Sequence, residues 1–487
     1  MKIPELGIGI IYFSGFESIL ESNLDLIQVI EIEPQTFWYR DKSKLDSYSF
    51  DEDVVNYLRE KNKSTLFHGV GYPVGGKILS DTTHIKCFKE MATVLNPVWF
   101  SEHLSFNTIE IEGQLCNTNF LLPPLQTEEG IETYIKNIKE YSKNLNIPFA
   151  FETGTNYLSP KKFEIEDGTF VNKISEGADC NILLDLHNIL ANEKNGRQKV
   201  KDFIRQISSE RVIQIHLAGG FYFKDYYLDA HSGISSDEVI SIFESVVKSL
   251  PNLKAITFEM LPDYLRYIPE KDITIQLEKM NSIWDKRGSY LTIKPKIKEK
   301  KVDSFNCPTL HEWENTLGLL TIGRVLNSET NLSTEFKIDK GLEIITDLVE
   351  KFRGSFLVSS LKLTCRYIML HYGLENLDYW MKDFWLKSIP ELFASDNGLN
   401  FANYLLEHGE AKKNRVLMDI ILYESSTIQT LLDNNFREIN ICFNPNEIIP
   451  LLSKGIYPKD LVTGEYLIKI EPQQQDLNDS IHSVFHS

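Results

Sequence analysis

Basic residues, cysteines and long apolar runs are all scarce in this sequence of 487 residues. Lysine and arginine number 51 against 69 aspartates and glutamates, a net charge of −18, and such a surface repels phosphate backbones and anionic membranes. This balance argues against nonspecific nucleic-acid binding. No stretch reaches the ~18 consecutive apolar residues of a membrane span, and Met1-Lys2-Ile3-Pro4-Glu5 opens no signal-peptide-like run, so a cytoplasmic location is expected. Cys87, Cys116, Cys180, Cys307, Cys365 and Cys442 show no C-x₂-C spacing, which excludes an ordinary four-cysteine zinc site and fits reduced core thiols. There is no G-x-G-x-x-G after the first apolar run, no G-x-S-x-G, no H-E-x-x-H and no P-loop, and each absence removes a reaction class. Internal repeats and low-complexity segments are missing too.

What remains has the composition of a folded globular protein, with 42% hydrophobic, 25% charged and 11% aromatic residues. The length is about twice the ~250 residues of a typical eight-fold barrel, so two folded units are expected. Residues 1–285 alternate short β-branched and aromatic runs with amphipathic stretches. Eight such runs occur, at 6–13, 27–33, 65–71, 98–104, 148–153, 181–187, 212–217 and 255–260. Intervening stretches such as 51–61, 127–144 and 236–250 suit crossover helices. Eight β/α units predict an α/β fold, a closed TIM-type (β/α)8 barrel, with a doubly wound open sheet as the alternative. A charged linker over 286–306, centred on Lys294 to Lys301, precedes a mainly helical α+β C-terminal domain at 307–487. Helices are expected there at 309–319, 341–352, 356–371, 400–408 and 414–433, and strands at 438–443 and 466–470.

The chemistry gathers where the apolar runs end. These ends read Phe67-His68-Gly69, Ser101-Glu102-His103, Phe151-Glu152-Thr153, Leu184-Asp185-Leu186-His187-Asn188, Ile215-His216-Leu217 and Phe258-Glu259-Met260, with Asp229-Ala230-His231 in a following loop. In a barrel all of them point to the face where active sites are built. Any one histidine among them would ordinarily be a hydrogen-bonded core residue. As a set they place several carboxylates together with few lysines or arginines, at a cost of several kcal/mol per unpaired ion, so bound cations are the natural counter-charge. Mixed imidazole and carboxylate ligation without thiolate suits iron, manganese or zinc, and the ligands exceed what one ion uses. Gly69-Val70-Gly71 and Gly219-Gly220 read as tight turns before they read as phosphate cradles.

In order and spacing these seven motifs resemble the multinuclear non-heme iron-dependent oxidative enzymes (MNIO), formerly the DUF692 family, over nearly the whole first domain. The resemblance implies an oxidase acting with two or three irons, mixed Fe(II)/Fe(III), and O2 as co-substrate, that modifies a residue, often cysteine, of a ribosomally made precursor peptide. By position it implies His68, His103, Glu152, Asp185, Asn188, His216, Asp229, His231 and Glu259 as iron ligands. Glu102 and His187 are the further catalytic candidates, Glu102 beside the ligands rather than among them. The chain departs from the family at Glu33-Pro34-Gln35-Thr36, where Glu-Asn is usual, and at His187, where Asn is common. A trinuclear-zinc phosphoesterase and a divalent-metal sugar isomerase are the rival readings of the same ligands.

The C-terminal part, through Pro390-Glu391-Leu392, residues 398–405 and Leu422-Tyr423-Glu424, is similar to the partner proteins that present the precursor's leader segment to these enzymes. The expectation is a fused partner whose late strands leave a sheet edge for the leader. The alternative is a bundle that stabilises a homodimer.

Overall fold

The computed structural model describes residues 3–41, 47–78, 82–288, 295, 307–324, 326, 328–459 and 461–472. Its centre is a closed barrel of eight parallel strands: β1 (Gly7–Tyr12), β2 (Val29–Ile32), β3 (Ser64–Gly69), β4 (Phe100–His103), β5 (Phe149–Glu152), β6 (Asn181–Asp185), β7 (Val212–Ala218) and β8 (Ala255–Glu259). β1 pairs with both β2 and β8, the closure an open doubly wound sheet lacks. All eight expected runs supply a barrel strand, with bounds that differ by at most a few residues.

The twofold alternation of strand side chains sorts every strand into an outer and an inner set. Outward residues such as Ile30, Phe67, Phe100, Phe151, Leu184 and Ile256 join the helices in the main core. Inward residues Val29, Leu66, Trp99, Ala150, Leu183 and Ala255 form a separate apolar floor. Two residues further along the same strands the interior turns polar, with Glu31, His68, Ser101, Glu152, Asp185 and Thr257, all buried. One more step gives Glu33, His103 and Glu259 at the C-terminal mouth. The barrel is thus a packed cylinder whose apolar floor supports a polar upper half.

Two antiparallel hairpins, Trp38–Asp41 with Ser47–Phe50 and Phe106–Ile111 with Gln114–Leu122, are inserted after β2 and β4, and neither is anticipated by the sequence pattern. The charged 286–306 stretch lies almost wholly outside the described residues. Helix Leu310–Thr321 then opens with a capping box between Thr309 and Glu312 and returns to the barrel. Its Trp313 is fully buried against Phe163 and Phe336, and its indole donates to the Pro123 carbonyl at 3.0 Å. The barrel's core therefore continues through Phe336, Ile344, Ile345 and Val349, and a second core begins at Leu357.

The C-terminal region is mainly helical, but the helices expected at 341–352 and 356–371 divide elsewhere. One helix runs Lys340–Ser360 and the next Lys362–Tyr372, with the break at Leu361. Gly354, between the two expected ranges, stays helical in an uncrowded position, where an added Cβ would meet nothing nearer than Trp385, at 3.9 Å. Helix Leu374–Lys387 is not anticipated by the sequence pattern either. The late strands pair as an antiparallel hairpin, Arg437–Ile441 with Tyr466–Ile470. Among the described residues the cysteines are free and no helix is long and apolar enough to cross a membrane.

Glu314 ties this returning helix to the barrel by accepting from the Lys77 amide at 2.7 Å, and burial pushes its carboxyl from 4.5 up to about 8. The folded chain keeps this proton over a range where the unfolded chain has lost it, so the group's contribution to stability is largest below about 4.5 and falls as pH rises towards 8. Glu314→Gln, permanently neutral, should match the parent near pH 5 and exceed it above pH 8 by on the order of a few kcal/mol. Urea unfolding at the two pH values measures this, and an unchanged pH slope in the variant counts against it.

Candidate metal centre

The C-terminal ends of the strands carry the predicted residues to one place. Glu152, at the end of β5, faces three imidazoles: His68 Nε2 at 3.1 Å and His103 Nε2 at 2.8 Å from its Oε2, and His216 Nδ1 at 3.8 Å from its Oε1. Glu259, at the end of β8, lies 3.1 Å from His216 Nδ1 and 3.0 Å from His231 Nδ1. His231 Nε2 reaches Asp229 at 2.9 Å. A continuous chain of alternating carboxylates and imidazoles therefore crosses the mouth. Within it two groups have ligand atoms all within 4.8 Å of one another: His68, Glu152 and His216, and Asp185, His231 and Glu259.

Contacts behind the imidazoles decide which nitrogen faces inward. His68 Nδ1 is hydrogen-bonded to Ser101 Oγ at 2.9 Å and His103 Nδ1–H donates to the Gly69 carbonyl at 3.0 Å, which leaves each Nε2 facing Glu152. His216 is turned the other way, its Nε2–H donating to Glu31 at 2.9 Å and its Nδ1 facing Glu259. Glu31 is itself fixed by Thr257 Oγ1 at 2.6 Å and Gln214 Nε2 at 2.8 Å, and Gln214 by the Trp99 indole at 2.7 Å.

Six buried atoms that converge here, Glu152 Oε2, Asp185 Oδ2, His216 Nδ1, Asp229 Oδ1, His231 Nε2 and Glu259 Oε2, make no well-aligned hydrogen bond, and all but Asp185 Oδ2 lie against an imidazole or carboxylate of the same cluster. Buried polar atoms are normally paired with good geometry, so six that are not, aimed at shared points, are what a set of metal ligands presents. Among the described residues, the ion pairs of Glu31, Glu152, Asp229 and Glu259 are all with imidazoles. Burial alone would lower His103, His216 and His231, but facing carboxylates, Glu152, Glu31 and Glu259 respectively, hold them well above the ordinary histidine value. Burial together with the charges of Glu152 and Asp229 pushes Asp185 well above the carboxylate range. The residues thus fit cations that would take over the charge these protons carry.

The remaining candidates stand beside the cluster. Asp185 caps helix Leu186–Lys194, so His187 and Asn188 sit in a helical first turn rather than on the strand. Asn188 accepts from Thr155 Oγ1 at 2.8 Å and donates to Glu152 Oε1 at 3.3 Å. His187 packs under Gly220, where any Cβ would strike its ring, and burial keeps the imidazole below the ordinary value, hence neutral. Glu102 accepts the backbone amides of His103 at 2.9 Å and Tyr72 at 3.3 Å and braces the turn behind His103. Glu31 and Glu33 are not singled out by a pattern of polar strand ends. Glu33 is buried, and burial with the nearby Glu259 charge lifts it to about 8. The parity of Val29, Glu31 and Glu33 along β2 is the signal that marks both as inward-facing.

Replacing His103 or Glu259 by alanine should lower metal content while the barrel stays folded, because both lie at the mouth above the apolar floor. Elemental analysis with circular dichroism checks this, and a variant that unfolds with its metal stoichiometry intact would make that residue structural.

A "UPF0276 protein" of Psychromonas ingrahamii is 27% identical over 188 residues, 38% of this chain and 64% of its own length. Another, of Caulobacter vibrioides, is 25% identical over 230 residues, 47% of this chain and 78% of its own. The chain thus spans somewhat less than two thirds of the Psychromonas relative. Among solved structures, a D-allulose 3-epimerase of Methylomonas sp. gives a TM-score of 0.36 at 12% identity, over 59% of this chain and 94% of that one, a likeness too low to carry an argument. The family model of the RiPP precursor modification enzymes MbnB/TglH/ChrH matches residues 7–266, more than half of the sequence and the whole of the barrel, and the chain belongs to that family.

Proposed function

We propose that this protein is an iron- and O2-dependent enzyme that oxidatively modifies a ribosomally synthesised precursor peptide at cysteine. The observation that carries the reading is the convergence, at the barrel mouth, of buried imidazole and carboxylate atoms without well-aligned hydrogen bonds, in two groups that share a wall at His216 and Glu259. His68, His103, Glu152 and His216 would hold one ion, and Asp185, Asp229, His231 and Glu259 another, with Asn188 beside both. Bound iron supplies redox capacity towards dioxygen and enough Lewis acidity to ligate a substrate thiol as thiolate at neutral pH. Family membership supports a peptide substrate, and imidazole–carboxylate ligation without thiolate suits iron.

The chain's own residues orient and exclude. Ser101, the Gly69 carbonyl and Glu31 set the imidazole tautomers, and the neutral His187 has a free Nδ1 with which to accept a proton. The apolar floor of Trp99 and its neighbours closes the barrel to water from below.

Protein purified without oxygen should carry more than one iron per chain, because the ligand set exceeds one octahedral shell. Metal analysis showing one zinc and negligible iron would end the oxidase reading.

Leader recruitment belongs to the C-terminal domain in this proposal. Hairpin Arg437–Ile441/Tyr466–Ile470 is a two-stranded sheet among the described residues, and such a sheet can take up an extended peptide as a further strand. Leu467 is 58% exposed on it. Leu467→Asp should raise KM for full-length precursor several-fold and leave kcat unchanged in steady-state kinetics. An unaltered KM would place the leader elsewhere.

A further inference from the structure

Helix Lys340–Ser360 lies across the loops that complete the metal centre. Asp339, its N-cap, and Glu343, Asp347 and Lys351 recur every four residues and so share one face. Asp339, buried, accepts from the Ser159 amide at 3.0 Å, Ser159 Oγ at 3.3 Å and Lys161 Nζ at 2.6 Å. Glu343 and Asp347 both accept from Lys224, at 2.7 and 2.6 Å, and the Lys351 ammonium lies 4.0 Å from the centre of the Phe223 ring. Gly341 comes so close to the loop after β5 that a Cβ there would lie 2.1 Å from the Tyr157 carbonyl.

Both contacted loops lead to Asp229. From the loop after β5, Tyr157 Oη accepts the Asp229 amide at 2.9 Å, and Thr155 Oγ1 donates to the Asp229 carboxylate at 3.3 Å. The hairpin Tyr222–Phe223/Tyr226–Tyr227 runs into Asp229 two residues later. His231 then holds a left-handed backbone, φ 44°, which a histidine keeps only where its surroundings impose it. The other ligand group is different in kind, since His68, Glu152 and His216 all sit on barrel strands.

We propose that helix Lys340–Ser360 is a positioning element of the metal centre: through Asp339 and Tyr157 it holds the loop that delivers Asp229 and His231, while the group of His68, Glu152 and His216 is set by the barrel alone. The proposal rests on the metal-centre reading above. It assigns the region after the barrel a part in assembling the site, separate from any recruitment of peptide.

The test uses the full-length chain titrated with Fe(II) without oxygen, followed by calorimetry and by amide hydrogen exchange over residues 222–231. In Tyr157→Phe and in Asp339→Ala, one of two iron equivalents should bind about tenfold more weakly, the usual scale for losing a group that orients a ligand, with exchange over 222–231 accelerated and the other equivalent unchanged. Lys382→Ala, which removes a bridge to Glu350 on the same helix at 3.4 Å, should alter neither. Lys224→Glu should resemble the first two variants, and Glu343→Lys with Asp347→Lys should restore it. If Asp339→Ala fails to fold, Tyr157→Phe decides. Unchanged affinities in the folded variants, or equal weakening of both equivalents, overturn the positioning role. A parent chain that binds fewer than two irons overturns instead the metal-centre reading on which it rests.

Discussion

Carboxylates that, among the described residues, have no lysine or arginine partner at the mouth of a closed barrel set the terms for everything around them. Glu31, Glu33, Glu102, Glu152, Asp185 and Glu259 are all buried in the upper half of the barrel or just behind it. Transferring even one ionised carboxylate from water without compensation costs several kcal/mol, so a cluster of this size is tolerable only if positive charge comes with it. Imidazoles provide part of that charge in the protein alone, and they can release the proton when a metal ion takes its place. The same pairs that make the cluster foldable therefore make it suited to hold metal ions.

That requirement explains the layering of the barrel interior. The floor of Val29, Leu66, Trp99, Ala150, Leu183 and Ala255 contributes the apolar burial that the upper half cannot. Between floor and mouth, Trp99, Gln214, Thr257 and Glu31 form a connected hydrogen-bond network ending on His216. A ring nitrogen bound to that network cannot swing away, so the lone pair of His216 stays aimed at Glu259.

The barrel and most of its site are legible in the sequence because both follow from local pattern. A run of β-branched and aromatic residues ending in His, Asp or Glu states a buried strand and a polar mouth at once, as at Phe67-His68 and Phe258-Glu259. Glu31 escapes that pattern because it lies inside its strand, and only the twofold parity with Val29 shows that it turns inward. The inserted hairpins at 38–50 and 106–122 escape it because their alternation is short and they pack against partners distant in sequence, Phe393 on Tyr48 and Gly318 on Ile109. The helix also runs unbroken to Ser360 through the gap expected at 353–355, because glycine costs a helix only about 1 kcal/mol and the buried Val349 and Leu357 anchor the helix on either side of it.

The boundary between barrel and appended helices is blurred by packing rather than marked by the charged stretch. Trp313, Phe336 and Val349 belong to the barrel's core, so the helices that carry them stabilise it as its own crossover helices do. The second core starts at Leu357 and takes in Phe401, Ile421 and the hairpin residues Ile439 and Ile441. Helix Lys340–Ser360 belongs to both, with Ile344 and Val349 in the first and Leu357 in the second. A helix shared in this way connects the second core to Asp339 and Lys224, and through them to the loops that carry Asp229 and His231. On the function proposed above, a peptide bound at the second core and a metal held by those loops would stabilise each other to the extent that this helix couples them, because by linkage a coupling in one direction is of equal size in the other.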